Sequence, residues 1–347
     1  MRENRQKGKT KRRLRMKKFL ALVLSIVMVL SLVACGGGET APDADDTQDP
    51  VESTEPVDIV IATGGTSGTY YAVGNALATT IGDKLTLSKL TVTDSGASKT
   101  NVQLATAGDV QMSLLQSDVL NYAHNGTGGE KMFEGKPETN SLWVAGIYFE
   151  TVQIVASKDI TDISQLKGKT VCVGDVGSGT ALNAEQVLGA YGLTFSDITP
   201  YYGSFADGCD ALKNGQVDAA INTAGAPTGA ITDLSSTYDF NLLPVSDEAI
   251  AKLQAEYPFL VKDVVPANTY KCVTEDVPCV AVKAVLTATE STSEDVVYEI
   301  TKAMFDNLDA LKASHAKFGY LSLESALDGS FDVHPGAAKY YKEMGVM

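Results

Sequence analysis

The chain has 347 residues, with 28 Lys and Arg against 43 Asp and Glu, and a formal net charge of −15 at pH 7. This charge excludes nucleic acid as a natural partner, because binding it requires a basic surface that displaces counterions. Residues 1–34 hold ten of the basic residues and one acidic residue, so the remainder carries −24. The last arginine is Arg15, so no guanidinium follows it to grip a carboxylate.

The first predicted element is an export signal. Lys17 and Lys18 precede an uncharged, mostly apolar run that ends just before Cys35. The run is shorter than the about 20 residues that span a bilayer, and small residues flank the cysteine as at a signal-peptidase site. We expect residues 1–34 to be a lipoprotein signal peptide and lipidated Cys35 to anchor the protein, extracytoplasmically, to the outer face of the cell membrane. An uncleaved anchor helix is the alternative, and Met16 is an alternative start.

A polar tether is predicted next, over residues 35–56. It consists mainly of Gly, Asp, Glu, Thr and Pro, with almost no large apolar side chain. Such a segment cannot bury enough surface to offset the entropy of ordering it. We expect a disordered acidic linker between the lipid and the folded part.

The folded part begins with a strand, a glycine-rich turn and a helix. Residues 57–62 read as a buried strand, and residues 63–69 are rich in Gly, Ser and Thr. Val73, Leu77 and Ile81 then recur at a spacing of four, which predicts a helix that ends at Gly82.

The same order of elements returns further along the chain. Residues 171–174 lead into a second donor-rich turn and a helix, and residues 217–221 lead into a third turn. Between the first and the second copy of this pattern, residues 110–115 predict a strand, with a helix starting near Asp118. This alternation predicts an α/β fold with open, largely parallel sheets. About 290 residues exceed the usual single core, which favours two lobes.

The turns predict a shared binding cleft. Ligands of open α/β sheets bind beyond the carboxyl ends of the strands, where these clusters fall. Glycine lets the backbone approach a ligand, and a helix N-terminus offers free N–H groups that hold an anion without a cationic side chain. Ordinary tight turns are the alternative.

The residues favour binding over catalysis. The turn at 177–180 lacks the Gly-Lys-Ser/Thr of a phosphate-binding loop, and no serine lies in a G-x-S-x-G elbow. His124, His315 and His334 stand singly, so we predict no metal and no cofactor. A lipid-anchored hydrolase that uses the Gly-Ser-Gly-Thr turn is the alternative from another class.

Four cysteines follow Cys35, and their state stays open at the sequence level. A bond between Cys272 and Cys279 would close a short loop in an oxidising compartment, while Cys172 and Cys209 lie in apolar surroundings. Free thiols are the equal alternative.

Several segments together resemble the TAXI family of solute receptors of tripartite ATP-independent (TRAP) transporters. The resemblance runs the length of the ordered chain and lies in the order of the segments. These are Thr63-Gly64-Gly65-Thr66-Ser67-Gly68-Thr69-Tyr70-Tyr71, Ser95-Gly96-Ala97-Ser98-Lys99-Thr100-Asn101, Leu115-Gln116-Ser117-Asp118, Ile163-Ser164-Gln165-Leu166-Lys167-Gly168-Lys169, Gly177-Ser178-Gly179-Thr180, Ala211-Leu212-Lys213-Asn214-Gly215-Gln216-Val217-Asp218-Ala219 and His334-Pro335-Gly336-Ala337-Ala338-Lys339-Tyr340-Tyr341.

The resemblance implies a periplasmic-binding-protein fold with two α/β lobes joined by two crossover strands, and a ligand cleft between them. One lobe would comprise residues 57–150 and 270–347, and the other residues 151–269. The implied function is that of a monomeric, non-enzymatic receptor that captures a small organic anion, such as glutamate, glutamine or a related dicarboxylate, and delivers it to TRAP permease subunits. A receptor of an ABC importer or a sensor is the alternative.

The candidate ligand contacts combine the donor-rich turns with nearby aromatic and acceptor side chains. Asp118 is a further candidate acceptor, or it caps the helix that follows. The predicted ligand-binding residues are Gly65, Thr66, Ser67, Tyr71, Ser95, Gly96, Ala97, Asn101, Gln116, Tyr148, Glu150, Ser178, Gly179, Thr180, Thr223 and Pro227.

Overall fold

The computed structural model describes residues 55–128 and 132–347. The predicted signal peptide, Cys35 and almost all of the tether lie outside the described residues. The strands are β1 (Val57–Ala62), β2 (Ser88–Thr93), β3 (Met112–Gln116), β4 (Ser141–Ala156), β5 (Thr170–Cys172), β6 (Thr199–Tyr201), β7 (Ala219–Ala224), β8 (Asn241–Leu242), β9 (Val261–Val265) and β10 (Val277–Thr289). The α-helices are α1 (Thr69–Ile81), α2 (Ser98–Ala107), α3 (Ser117–Asn125), α4 (Gly179–Ala190), α5 (Phe205–Lys213), α6 (Gly229–Thr237), α7 (Asp247–Glu256), α8 (Glu294–Asp306), α9 (Leu308–Ser314), α10 (Leu323–Leu327) and α11 (Pro335–Glu343).

The strands form one mixed sheet in the order β2-β1-β3-β10-β4-β7-β5-β6, with β8 beside β4 and β9 beside β10. At one end β1 runs parallel to β2 and β3, and at the other end β5 runs parallel to β6 and β7. The central strands β4 and β10 are antiparallel to each other. They have 16 and 13 residues, far above the usual five or six, because each crosses the whole molecule.

Both central strands change partners along their length. β4 pairs along β10 and then, from Thr151 to Ala156, with β7. β10 pairs with β9 at its start and, from Ala284 to Ala288, with β3. These two strands therefore join two α/β lobes, which confirms the predicted fold class.

Each lobe has its own apolar core. In the first lobe, α1 and α8 pack on β1 and β3, with residues such as Ile61, Leu77 and Ile300 fully buried. In the second lobe, α4 and α7 pack on β5 and β7 around residues such as Val187 and Ile221.

The residue bounds of the lobes stay a prediction. The expected division assigned residues 57–150 and 270–347 to one lobe and 151–269 to the other. Tyr270 packs in a core cluster with Val155 and Val265, which lie in the second lobe. This packing favours a second crossover later in the chain, inside β10.

The local predictions of strands and helices are confirmed. The strand predicted at 57–62 is β1, and the helix predicted after it is α1, in which Val73, Leu77 and Ile81 are all buried. The strands predicted at 171–174 and 217–221 correspond to β5 and β7, and the helix predicted near Asp118 is α3.

Cys172, Cys209, Cys272 and Cys279 are free thiols. No group of histidine, cysteine and acidic side chains in the described part of the chain is arranged to hold a metal ion. Within the same residues, no helix combines the length and apolarity needed to cross a bilayer.

Candidate functional site

A cavity lies where the carboxyl ends of the strands from both lobes meet. Its empty volume, which includes the part open to solvent, is about 520 Å³. Residues from the turns after β1, β2, β5 and β6 line it, together with residues of β3, β4 and β7. The lining residues are Gly64, Gly65, Ser67, Gly68, Thr69, Tyr70, Ala97, Ser98, Gln116, Glu150, Asp175, Ser178, Gly179, Thr180, Ser204, Phe205, Thr223 and Ala224.

Four helices begin at this cavity: α1 and α2 from the first lobe, and α4 and α5 from the second. The first backbone N–H groups of a helix have no partner inside it and carry a partial positive charge. Gly68 and Ala97 precede α1 and α2 without any side-chain cap, so these two helix ends keep their donors uncapped. The arrangement creates a positive potential from main-chain dipoles.

Two buried side-chain oxygens at the cavity have no hydrogen-bond partner among the described residues. They are Gln116 Oε1, at the end of β3 in the first lobe, and Thr223 Oγ1, in β7 of the second lobe. Both residues are at most 4 % exposed. A buried polar atom without a partner costs free energy, so a bound molecule that reaches both atoms would stabilise the closed arrangement of the lobes.

Glu150 is the most strongly perturbed acid of the cavity. It lies in the middle of β4 and is 2 % exposed. Tyr70 donates a hydrogen bond of 2.7 Å to Glu150 Oε2, and the Tyr148 hydroxyl lies 3.5 Å from Oε1. Burial raises the pKa of Glu150 from 4.5 to about 8, against the opposing effect of the Tyr70 hydrogen bond. Burial therefore favours the protonated, uncharged form of this carboxyl at neutral pH.

The lining contains acids but no lysine, arginine or histidine. Asp175 joins Glu150 there, and burial raises the pKa of the Asp175 carboxyl above its usual range, helped by the nearby Asp207. The positive potential in the lining therefore comes from the helix ends, and the Glu150 and Asp175 carboxyls supply hydrogen-bond acceptors. This pairing suits a molecule that carries a carboxylate at one end and hydrogen-bond donors at the other.

Nine of the predicted ligand residues are brought together around this cavity, although no ligand contact is tested. They come from both lobes, as a cleft between lobes requires. These residues are Gly65, Ser67, Ala97, Gln116, Glu150, Ser178, Gly179, Thr180 and Thr223.

The other seven predicted residues do not line the cavity. Ser95 and Asn101 instead hold the first lobe together: the Asn101 amide donates to the carbonyls of Thr63 and Leu114, both at 2.7 Å, and the Ser95 hydroxyl bonds to Thr63 O and Asn101 Oδ1. Tyr148 is buried beside Glu150. The remaining members of this set are Thr66, Tyr71, Gly96 and Pro227, of which Thr66 and Pro227 are exposed.

Asp118 does not line the cavity and is not the N-cap of α3. It is buried, and its Oδ1 accepts the Val119 N–H at 2.7 Å. Burial raises its pKa to about 6. Its second carboxylate oxygen faces the other lobe.

Sequence reasoning missed the contribution of β6 and α5. Ser204 and Phe205 enter the cavity at the start of α5. The signal was present, because Ser204 and Asp207 form a capping box at the spacing that marks a helix start. Tyr70 was not among the predicted ligand-binding residues, yet it lines the cavity and donates a hydrogen bond to Glu150.

The two lobes touch closely at Gly179, the first residue of α4. A Cβ atom built there would lie 1.9 Å from Gln116 Oε1, so only glycine allows this approach. Nearby, the Gln116 amide nitrogen donates to Asn183 Oδ1 at 3.0 Å. The structure is therefore a closed form of the two lobes.

The two lobes and the cavity between them define a periplasmic-binding-protein-like α/β fold. The structure is similar to that of the periplasmic binding protein BugD (14% identity over 84% of this chain and 94% of that chain, TM-score 0.51). It is also similar to PhnD1 from Prochlorococcus marinus in complex with methylphosphonate (12% identity over 84% of this chain and 97% of that chain, TM-score 0.50). A binding protein component of an ABC phosphonate transporter from Pseudomonas aeruginosa matches less well (12% identity over 76% of this chain and 79% of that chain, TM-score 0.48).

Residues 61–345 match the model of the NMT1-like family, and the chain belongs to that family.

Proposed function

We propose that this protein is an extracytoplasmic solute receptor of a membrane importer, which captures a small organic anion by closing its lobes. The observation that carries the proposal is the pair of buried, unpartnered oxygens, Gln116 Oε1 and Thr223 Oγ1, which line one cavity from opposite lobes. A ligand that contacts both lobes shifts the population toward the closed form by its differential affinity for that form.

The proposed ligand is a carboxylate, with glutamate, glutamine or a related acid as the first candidates. The uncapped ends of α1 and α2 support an anion site without a cationic side chain. Glu150 and the free oxygen of Gln116 support a donor, such as an amino group, at the other end of the ligand.

Two transporter classes are candidates for the partner. The TRAP permease is supported by the sequence motifs alone. The ABC importer, which is the alternative reading, has the better support from the comparisons, where periplasmic binding proteins and an ABC phosphonate transporter component appear. Uptake into membrane vesicles that contain the permease encoded beside this gene distinguishes the two classes. ATP-driven uptake supports the ABC importer, and uptake driven by a sodium gradient supports TRAP.

The proteins with similar solved structures are binding proteins and not enzymes, which supports a binding role over the hydrolase alternative. The lipid anchor on Cys35 belongs to this proposal as well. Mass spectrometry of the protein isolated from membranes tests it, because a diacylated Cys35 and the loss of residues 1–34 have defined mass changes.

Calorimetry with matched variants tests the site. Native mass spectrometry of the purified protein first identifies a retained ligand, and a panel of glutamate, glutamine, 2-oxoglutarate and succinate follows. Thr223→Val should weaken binding by roughly threefold to tenfold, because one hydrogen bond contributes about 0.5–1.5 kcal/mol. Ser88→Ala is the control, since Ser88 Oγ is equally buried and unpartnered but lies outside the cavity. Equal affinities for both variants would contradict the proposed site.

A further inference from the structure

Beside the ligand cavity, α4 of the second lobe reaches into the first lobe through two consecutive side chains that do not line the cavity. Leu182 is 3 % exposed and packs in a cluster with Val102, Leu115 and Val119 of the first lobe. Asn183 follows it and is fully buried. We call Leu182 and Asn183 the α4 latch.

Asn183 uses both ends of its amide group across the cleft. Its Oδ1 accepts from Gln116 Nε2 at 3.0 Å, and its Nδ2 donates to Asp118 Oδ2 at 3.3 Å. The same Nδ2 donates to Gln186 Oε1 at 3.0 Å within α4, which fixes the orientation of the amide. These contacts satisfy one buried carboxylate oxygen and one buried amide nitrogen of the first lobe within the protein itself.

We propose that the α4 latch holds the lobes together independently of the ligand, with Asn183 as a positioning residue that sets how often the empty receptor closes. A closed state that already forms its own contacts across the cleft needs less binding energy from the ligand. The latch thus adjusts affinity from a position that the ligand does not touch. This inference goes beyond the receptor function proposed above and does not depend on which ligand binds.

Exchanging the side chains of Asn183 and Asp118 tests the latch. Asn183→Asp places a second carboxylate against Asp118, and Asp118→Asn leaves an amide nitrogen facing the Asn183 nitrogen. The double variant Asp118→Asn/Asn183→Asp restores a donor and an acceptor across the cleft. Hydrogen exchange of the ligand-free, full-length protein, followed by mass spectrometry, reads the result in all four proteins.

A separate contact between the lobes distinguishes opening from local damage. Thr69 Oγ1 donates to Gly225 O at 3.1 Å, and Lys317 Nζ donates to Ala226 O at 2.5 Å. If the latch holds the lobes, each single variant should exchange roughly tenfold faster both around residues 179–190 and around residues 224–232, and the double variant should return to the wild-type rate in both.

Faster exchange confined to the neighbourhood of the substitutions, wild-type exchange in the single variants, or no recovery in the double variant would each overturn the proposal. Exchange that rises throughout, including β10, would mean that a variant has unfolded. Leu182→Ala then replaces the unfolded variant in the test, and it too should make residues 224–232 exchange roughly tenfold faster. The hydrogen-exchange experiment contains no ligand, so a negative result there would contradict the latch and not the receptor function. A negative result in calorimetry would contradict the receptor function and not the latch.

Discussion

Replacing Gly179 by alanine should disfavour closure of the lobes while leaving each lobe folded. The added Cβ would lie 1.9 Å from Gln116 Oε1 and 2.4 Å from Gln116 Cδ. Carbon atoms normally keep about 3.5 Å or more from such neighbours, so the Gln116 amide has to move by about 1.5 Å. That movement breaks its hydrogen bond to Asn183 and crowds a buried site. Together these effects cost about 2–3 kcal/mol in the closed form.

The cost applies only when the lobes are closed, because the two residues belong to different lobes. We therefore expect Gly179→Ala to weaken ligand binding about 30- to 150-fold, at about 1.4 kcal/mol per factor of ten, with little change in melting temperature. Isothermal titration calorimetry with the ligand found by native mass spectrometry measures the affinity, and differential scanning calorimetry measures the stability.

Gly189→Ala is the matched control on the same helix. Nothing lies within 4 Å of the Cβ that it would add, and alanine in a helix is about 0.5–1 kcal/mol more stable than glycine. This variant should bind as the wild type does and melt slightly higher. If both variants bind with wild-type affinity, the contact between α4 and Gln116 is not part of the ligand-bound form, and the reasoning is refuted.

Three further predictions concern stability and reactivity. Glu150 has a pKa of about 8 in the fold against an ordinary 4.5, so its contribution to stability is complete below about pH 4.5 and is lost as pH rises toward 8. Glu150→Gln should flatten the decrease in the free energy of unfolding between pH 6 and pH 8, measured by urea unfolding. Asn101→Ala should lose about 2–4 kcal/mol of stability, because two buried carbonyls lose their donor, whereas Asn125→Ala, at an exposed position, should lose less than about 0.5 kcal/mol. Among the four described thiols, a maleimide should label Cys272 first in the native protein, since the other three are buried and burial raises their pKa.

Each of these has a defined contrary outcome. Parallel pH slopes for wild type and Glu150→Gln would show that Glu150 titrates normally in the fold. Equal stability losses for the two asparagine variants would remove the special role of the buried amide. Equal labelling of all four thiols in peptide mapping would contradict the burial of the other three.

The sequence was most informative where local and global requirements agree. The buried strand at 57–62, its glycine-rich turn and the four-residue spacing from Val73 to Ile81 predicted β1 and α1, because an apolar stripe at helical period needs a sheet to pack against. The convergence of the turns followed from the rule that parallel strands end at one edge of a sheet.

Several residues that do not line the cavity have structural roles that only the tertiary structure shows. Asn101 was predicted as a ligand contact because it lies in a donor-rich segment. Its amide donates to a carbonyl just after β1 and to a carbonyl within β3. The role of Asn183 could not be read from the sequence, since its partners in the first lobe are 65 and 67 residues away in the chain. A single sequence records side-chain type and spacing, and does not record which buried group each polar atom meets.

The source of the positive potential in the cavity has an evolutionary consequence. It arises from the direction of the polypeptide at four helix starts, and no cationic residue contributes to the lining. In a site where one arginine side chain binds the carboxylate, a single substitution of that arginine removes the attraction. For the proposed carboxylate ligand, no single side-chain substitution removes this attraction. The side chains of the opposite wall can therefore change in evolution toward other ligands while the backbone site for the acid group is kept.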